Sequence, residues 1–518
     1  MPFDARIDRL LLVLAVGLSR LAFRSHFLYD IDSVNFALAL QRFDTSVHQP
    51  HPPGYYLYVY LGRAVNLMCG DANASFVAIS IVASCGAVAV IHLLTTEWFG
   101  RRPALFAGVM FVLSPLAWFH GTVALTYMVE TFFSALIGYL CWRVVCGRKV
   151  LIVFAACLLG LAAGFRPSSV LFLTPIVLVA LASVPKKLAA VSLALFVCTV
   201  SAWFFPMVHD SGGLQKYVSA LVSLWRMVPA KQTVFNSSII NSIARLLTIV
   251  GIFALCFGCA SALVFRRSRS HLEERKQKLV FSCVWVAPGL LFFTFVFLKF
   301  VNSGYLLLLC PPAFAWIGAS ASEWYDSGRA AKQFKIGVIC ASAALNVVIY
   351  LRSPLYCSYG EVRRFETDLA SITNTLPKVA SAEEALIVGF DSHFLGYRHA
   401  GYYLPNYLTL QFPEVNYASG PKVFAMQHRQ TLLVPELRVA AYKKFIFFPL
   451  PSGDREYEIY MDHLRARFPA GHLQTVKVAE REFITGPIAD LPLLFPITAH
   501  SPHMYTRNRA AVACVNCR

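Results

Sequence analysis

The feature that most constrains this chain is a series of apolar runs, each near 20 residues, that continues to about residue 351. A helix of that length rises about 30 Å, the thickness of a bilayer's hydrocarbon layer. Lys and Arg recur at alternate ends of these runs. Under the positive-inside rule they orient the whole series. Eleven spans are expected, at about 8–27, 75–96, 103–119, 126–146, 150–164, 168–184, 188–208, 239–264, 279–298, 304–320 and 333–351. Arg6 and Arg9 place the N-terminus on the cytoplasmic side. Arg101-Arg102, Arg148-Lys149, Lys186-Lys187 and the run from Arg266 to Lys278 then fall on that same side. Residues 55–69 are Tyr-rich but interrupted by Arg63, and read as an interfacial helix that does not cross. Residues 28–54 and 210–237 read as outer loops.

Composition excludes an ordinary soluble enzyme. Only 14% of the 518 residues are charged and 57% are hydrophobic; soluble domains carry about 25% charge. The net charge of +18 could suggest nucleic acid. The cytoplasmic clusters account for it, so membrane lipids are the expected partner and nucleic acid is not. The 14 cysteines are scattered mostly singly through apolar runs and read as small core residues. The one tight pair is Cys514-Val515-Asn516-Cys517.

Residues 352–518 change character. Charges and turn residues recur (Pro354, Pro377, Gly389, Pro405, Pro413, Gly420-Pro421), with strand-like runs at 385–389 and 444–448 and a short helix at 361–369. The expectation is an all-α polytopic membrane domain, 1–351, followed by a small extracytoplasmic mixed α/β domain, 352–518. No GxGxxG or GxxxxGK[ST] nucleotide motif occurs.

This topology gathers the chain's costly polar residues at the outer ends of helices. They are Asp30, Asp32, His48, His51, Glu130, Arg166, Lys299 and Tyr305. Ionisable groups in apolar sequence are expensive and mark sites. A carboxylate can take a proton from an acceptor hydroxyl or amine. Cations or a divalent ion such as Mg or Mn can hold a phosphate leaving group. That set suits transfer of a sugar from a polyprenyl-phosphate donor, since nucleotide sugars are cytosolic. Each residue also has a plainer reading. Asp32 suits the N-cap of a helix beginning near Ser33, and Asp30 a solvated loop acid. His51 before Pro-Pro suits a turn, and Glu130 a buried pair with Arg166. Arg166 also suits an interfacial anchor, and Lys299 and Tyr305 interfacial belt positions. His92 and His120 show no partner in the sequence.

Asp32-Ser33-Val34-Asn35-Phe36, then His51-Pro52-Pro53-Gly54-Tyr55-Tyr56, resembles the first loop of GT-C glycosyltransferases, in the branch of protein mannosyltransferases and bacterial aminoarabinose transferases. The segment from Ala124 to Phe133 is similar to that family's second acidic loop. The resemblance covers roughly residues 5–350. It implies a GT-C-like fold and an inverting transferase with Asp32 as base and Glu130 as the second catalytic acid. Asp30, His48, His51, Arg166, Lys299 and Tyr305 would bind substrate, and Asp30 and Asp32 are the metal-ligand candidates. Two departures stand out: Ser33 replaces the second acid of the usual Asp-Glu pair, and Tyr127 occupies the position that is often Asp in the second loop.

The acceptor implied is a lipid, glycan or protein of the cell envelope. Short loops point to a bacterial inner membrane. Asn73-Ala74-Ser75 and Asn236-Ser237-Ser238 would be glycosylation sequons in a eukaryotic host. The competing reading is a polytopic lipid or polysaccharide transporter or flippase without transferase activity. It predicts inverted repeats and broken helices at mid-membrane, and the sequence shows neither clearly.

Overall fold

The computed structural model describes residues 3–227, 232–258, 272–328, 331–412, 423–434, 441–449 and 468–494, with single positions 462 and 465. Cys514 to Cys517, Arg266 to Arg269, Pro413 and Gly420-Pro421 lie outside the described residues. The chain divides into two compact units, Met1–Ala370 and Ser371–Arg518.

The first unit is helical. Among the described residues seven helices are long and apolar enough to cross a membrane: Ala72–Phe99, Tyr127–Val145, Lys186–Asp210, Ile239–Phe257, Arg275–Phe295, Phe300–Asp326 and Lys332–Arg352. Leu151–Phe165 and Ser168–Ala182 are shorter apolar helices. Each of the eleven expected segments overlaps helical residues, but among the described residues only these seven helices have the length and composition of a crossing. The first helix, α1 (Phe3–Ala22), starts and stops earlier than the apolar run suggests.

Burial sorts the helices into an inner and an outer set. Two thirds of the apolar window of Tyr127–Val145 is buried, against 11% for Lys186–Asp210 and 17% for Lys332–Arg352. The first packs among Ala72–Phe99, Leu151–Phe165 and Ser168–Ala182. The other two present Leu193, Val197, Phe205, Ile336 and Val348 outward, as lipid-facing helices must.

The first outer loop contains the helix expected near Ser33, but it starts at Ile31 and its N-cap is Asp30, not Asp32. Helix α2 (Ile31–Gln41) is held at both ends. The Asp30 side chain accepts the Asp32 N–H at 2.8 Å, the N-cap interaction. At its other end Arg63 donates to the carbonyls of Leu40 (3.0 Å) and Ala39 (2.9 Å). Those carbonyls have no partner within the helix, and a cation there also suits the helix dipole. Arg63 sits on α3 (Tyr56–Cys69), so the charge that breaks the apolar run is what ties α3 to α2.

Helix α4 (Ala72–Phe99) is followed by α5 (Arg101–Val112) and α6 (Pro115–His120), where one continuous span is expected. Pro115 cannot continue a helix inward, and the Ser114 hydroxyl caps the new start by accepting from Ala117 N–H. The carbonyls freed at the break are met by Arg20, fully buried on α1, which donates to Val112 O at 2.7 Å and Phe111 O at 3.3 Å. Asn73 is buried on α4, and its amide donates to Ser25 O at 2.9 Å. That engagement removes Asn73 as a glycosylation acceptor.

The remaining helices that matter for the site are α7 (Tyr127–Val145), α8 (Leu151–Phe165), α9 (Ser168–Ala182) and α10 (Lys186–Asp210). A further helix, α11 (Leu214–Met227), occupies the stretch expected to be loop. The short helix expected at 361–369 extends over Tyr359–Val379.

The second unit is a mixed seven-stranded sheet. In chain order the strands are β1 (Ala385–Gly389), β2 (Thr409–Gln411), β3 (Val423–Gln427), β4 (Gln430–Val434), β5 (Lys444–Phe447), β6 (Gln474–Val478) and β7 (Arg481–Pro487). They lie in the order β4-β3-β2-β1-β5-β7-β6. Strand β1 is central and parallel to both β2 and β5, while the outer pairs are antiparallel. All five residues of β1 are buried, as a strand covered on both faces requires. Leu386, Val388, Leu410, Phe445 and Phe447 share one core.

Candidate active site

The site begins at the start of α2. Because Asp30 takes the N-cap, Asp32 falls in the first turn, and its partly exposed carboxylate faces the loop that follows. There His51 Nδ1 lies 3.2 Å from Asp32 Oδ1. His51 Nε2 is 3.1 Å from the Tyr55 hydroxyl. The Asp32 carboxylate and the Tyr55 hydroxyl thus lie against the two nitrogens of the His51 ring. Burial pushes the Tyr55 phenol well above its usual range, against the opposing pull of Arg166, so Tyr55 stays neutral.

The loop geometry that allows this needs glycine at one position. Gly54 has φ +118, and a Cβ there would meet Met207 Sδ at 2.7 Å. Tyr55 itself is left-handed at φ +49, a conformation uncommon outside glycine and found where function or packing imposes it. Phe36 packs edge-on against Tyr55 at 5.2 Å and also touches the His51 ring at 5.9 Å. That contact is why the apolar half of α2 helps to hold the polar pair.

Behind Tyr55 lies a cation enclosed by aromatics. The Arg166 guanidinium sits 5.7 Å from the Tyr55 ring, 4.5 Å from Tyr127 and 4.3 Å from Tyr305. It is 4% exposed. Arg166 Nε pairs with Glu130 Oε2 at 3.0 Å, and Nη1 donates to Thr126 Oγ1. Glu130 Oε1 also accepts from Ser168 at 3.0 Å and Ser169 at 3.3 Å. A buried pair is supported by further hydrogen bonds, and the two serines supply them at Glu130 Oε1.

Six of the eight expected residues therefore divide into linked groups: Asp30 with Asp32 and His51, and Glu130 with Arg166 and Tyr305, joined through Tyr55. Asp30 is buried in its cap. His48 is half-buried and ends the turn Thr45–Val47 in a left-handed conformation. Lys299 is exposed and precedes the 3-10 helix Phe300–Leu309, which carries Tyr305 and opens the helical stretch to Asp326. Among the described residues no group of three His, Cys, Asp or Glu could hold a metal ion. With one carboxylate capping a helix and the other against His51, the pair does not fit as a ligand set.

Sequence reasoning misses Tyr55, Thr126, Tyr127, Ser168, Ser169 and His120. Ser168-Ser169 follow Arg166-Pro167 directly, and Thr126 lies one helical turn before Glu130, so adjacency is an available signal. His120 is buried with its ring 4.8 Å from Tyr127, and neither ring nitrogen has a hydrogen-bond partner among the described residues. No sequence spacing reveals that.

Gly304 makes room for this arrangement. A Cβ on it would lie 2.3 Å from the Tyr127 ring. Gly304→Ala is expected to push that ring off Arg166 and to lower stability by about 1–3 kcal/mol, the usual range for overpacking. Thermal unfolding of the detergent-purified protein checks this.

The family model of the N-terminal domain of the protein O-mannosyl-transferase TMEM260 matches residues 41–189. Among solved structures, ArnT from Cupriavidus metallidurans bound to undecaprenyl phosphate is similar at 12% identity and TM-score 0.56, over 94% of this chain and 98% of that one. Its apo state gives 12% identity and TM-score 0.51, over 94% and 99%. The apo oligosaccharyltransferase of Archaeoglobus fulgidus aligns at 12% identity and TM-score 0.43, over 77% of this chain and 64% of that one. No curated protein matches by sequence. The matched segment contains His51, Tyr55, Glu130 and Arg166, and the fold similar to that of ArnT spans 94% of this chain.

Proposed function

We propose that the protein moves a sugar from a polyprenyl-phosphate donor to an acceptor hydroxyl or amine at the outer face of the membrane, with inversion at the anomeric carbon. The observation that carries this reading is Asp32: a partly exposed carboxylate, held at 3.2 Å by His51 at the start of a capped helix. Asp32 takes the acceptor's proton as its oxygen or nitrogen attacks the anomeric carbon. The bond from that carbon to the phosphate oxygen breaks, and its electron pair leaves with the polyprenyl phosphate. One base suffices and no covalent sugar–enzyme intermediate forms. His51 orients Asp32, and Tyr55 holds the other nitrogen of the His51 ring.

Arg166 is paired with Glu130 and enclosed by Tyr55, Tyr127 and Tyr305, so its role is to hold those rings in place. Lys299, exposed before the 3-10 helix that carries Tyr305, is the cation assigned to meet the phosphate. ArnT's solved complex with undecaprenyl phosphate supports a lipid-phosphate carrier. The match to a protein O-mannosyl-transferase domain makes a mannosyl donor and a hydroxyl acceptor the first pair to assay. The purified chain in nanodiscs, given radiolabelled polyprenyl-phosphate mannose and a serine/threonine peptide or membrane glycan, is expected to release free polyprenyl phosphate and labelled acceptor. Absence of transfer across a panel of polyprenyl-phosphate sugars and acceptors would overturn the reading.

The same proposal places the N-terminus in the cytoplasm, eleven crossings in the membrane and the second unit outside, in a bacterial inner membrane. Reporter fusions after Pro185 and after Arg352 are expected to report opposite sides. Agreement between them would remove the outer-face site.

A further inference from the structure

Helix α11 has a pattern that the catalytic reading does not use. It follows α10 through Gly212 and Gly213, at φ +83 and +98. Two successive left-handed residues turn the chain sharply, a conformation glycine adopts without strain. Fourteen residues rise about 21 Å, too little to cross a bilayer.

At 100° per residue the helix surface divides into three arcs. Leu214, Val218, Val222 and Trp225 share one, with exposures of 61%, 45%, 40% and 47%. Gln215, Ser219 and Arg226 form an exposed polar arc beside it. The third arc carries Tyr217, which is 5% exposed. A helix packed on protein along one arc, polar along the second and apolar but uncovered along the third fits the membrane–water interface.

We propose that α11 lies flat in the interface, with Leu214, Val218, Val222 and Trp225 in lipid, and that it fixes the loop carrying His51. Lipid is the occupant because α11 continues directly from α10, whose own exposed Leu193, Val197 and Phe205 form the apolar surface leading to it. The protein-facing side reaches the loop at several points. The Tyr217 hydroxyl donates to Pro53 O at 3.0 Å, and Lys216 donates to Asp44 at 3.2 Å. Just before the glycine turn, Asp210 accepts from the hydroxyls of Tyr56 (3.1 Å) and Tyr60 (2.9 Å). Pro53 lies two residues from His51, so the interface helix and the Asp32–His51 pair are joined through a short stretch of backbone. Tyr217 is thus a positioning residue; this second half of the inference rests on the role proposed for Asp32 and His51.

The test uses the full chain in nanodiscs and reads no activity, so its failure is separate from failure of the glycosyltransfer reading. Trp225 emission is isolated as the difference between the wild type and Trp225→Phe. Phosphatidylcholine brominated high in its acyl chains is expected to quench that difference, and aqueous iodide is not. Quenching by iodide without quenching by bromine would overturn the interfacial placement. In the same nanodiscs, Tyr217→Phe is expected to raise amide hydrogen exchange several-fold in residues 44–55 while leaving α7 unchanged. Unchanged exchange in 44–55, or a rise extending through α7, would overturn the positioning role.

Discussion

Asp32→Asn is expected to lower turnover by roughly 10²–10⁴-fold, the usual contribution of a positioned general base, while binding of the polyprenyl-phosphate donor stays nearly unchanged. The amide keeps the shape and can still face His51, but it cannot take the acceptor's proton. Asp30→Asn is the informative companion. Its side chain caps α2 by accepting from Asp32 N–H, and Asn caps almost as well as Asp. That variant should therefore retain most of its turnover. The measurement is the steady-state rate of transfer by both purified variants, with donor binding followed separately. An inactive Asp30→Asn beside a near-normal Asp32→Asn would show that the base is the other carboxylate.

The second large effect concerns Glu130 and Arg166. Glu130→Gln is expected to destabilise the protein by about 3–5 kcal/mol, because it leaves a buried guanidinium without its counter-charge. Both side chains are almost fully buried, 0% and 5% exposed, so solvent screening offers little relief. Replacing both, as Glu130→Leu with Arg166→Met, should recover much of that stability, since well-packed apolar residues often match a buried pair. It should not recover turnover, because the cation among Tyr55, Tyr127 and Tyr305 is then gone. Thermal unfolding of the single and double variants, read beside their transfer rates, separates the two contributions. A double variant no more stable than Glu130→Gln would remove the buried-pair account.

Much of the fold follows from local chemistry. The apolar helices are legible because a bilayer imposes one length and one solvent on every crossing, so a periodic run carries its own meaning. The β1 and β5 strands are legible for a similar reason: Leu386-Ile387-Val388 and Phe445-Ile446-Phe447 are short apolar runs within a segment rich in charges and turn residues. The pool of candidate residues was legible as well. Ionisable residues at the ends of apolar segments are costly, and Asp32, His51, Glu130 and Arg166 are found in linked groups around Tyr55.

Their roles were not legible, since a role depends on which partner a side chain reaches. Asp30 and Asp32 are two residues apart and chemically identical. Only the point at which α2 starts makes one a cap and leaves the other facing His51. Arg166 reads equally as a substrate ligand, an interfacial anchor or the partner of Glu130, and the choice among them is made when Glu130, on another helix, is brought to 3.0 Å. Arg63 reads as a break in an apolar run until α3 lies beside the open end of α2. Tyr55, Tyr127 and Tyr305 lie far apart in the sequence, and nothing in their spacing groups them. They enclose a cation only because α7, the loop after His51 and the 3-10 helix after Lys299 converge. By itself the sequence determined the class of molecule, its apolar helices and the pool of chemically able residues, because those depend on solvent and local propensity. Only the tertiary structure decided which carboxylate faces His51 and which is spent as a cap or an ion pair, because that depends on contacts between residues far apart in the chain.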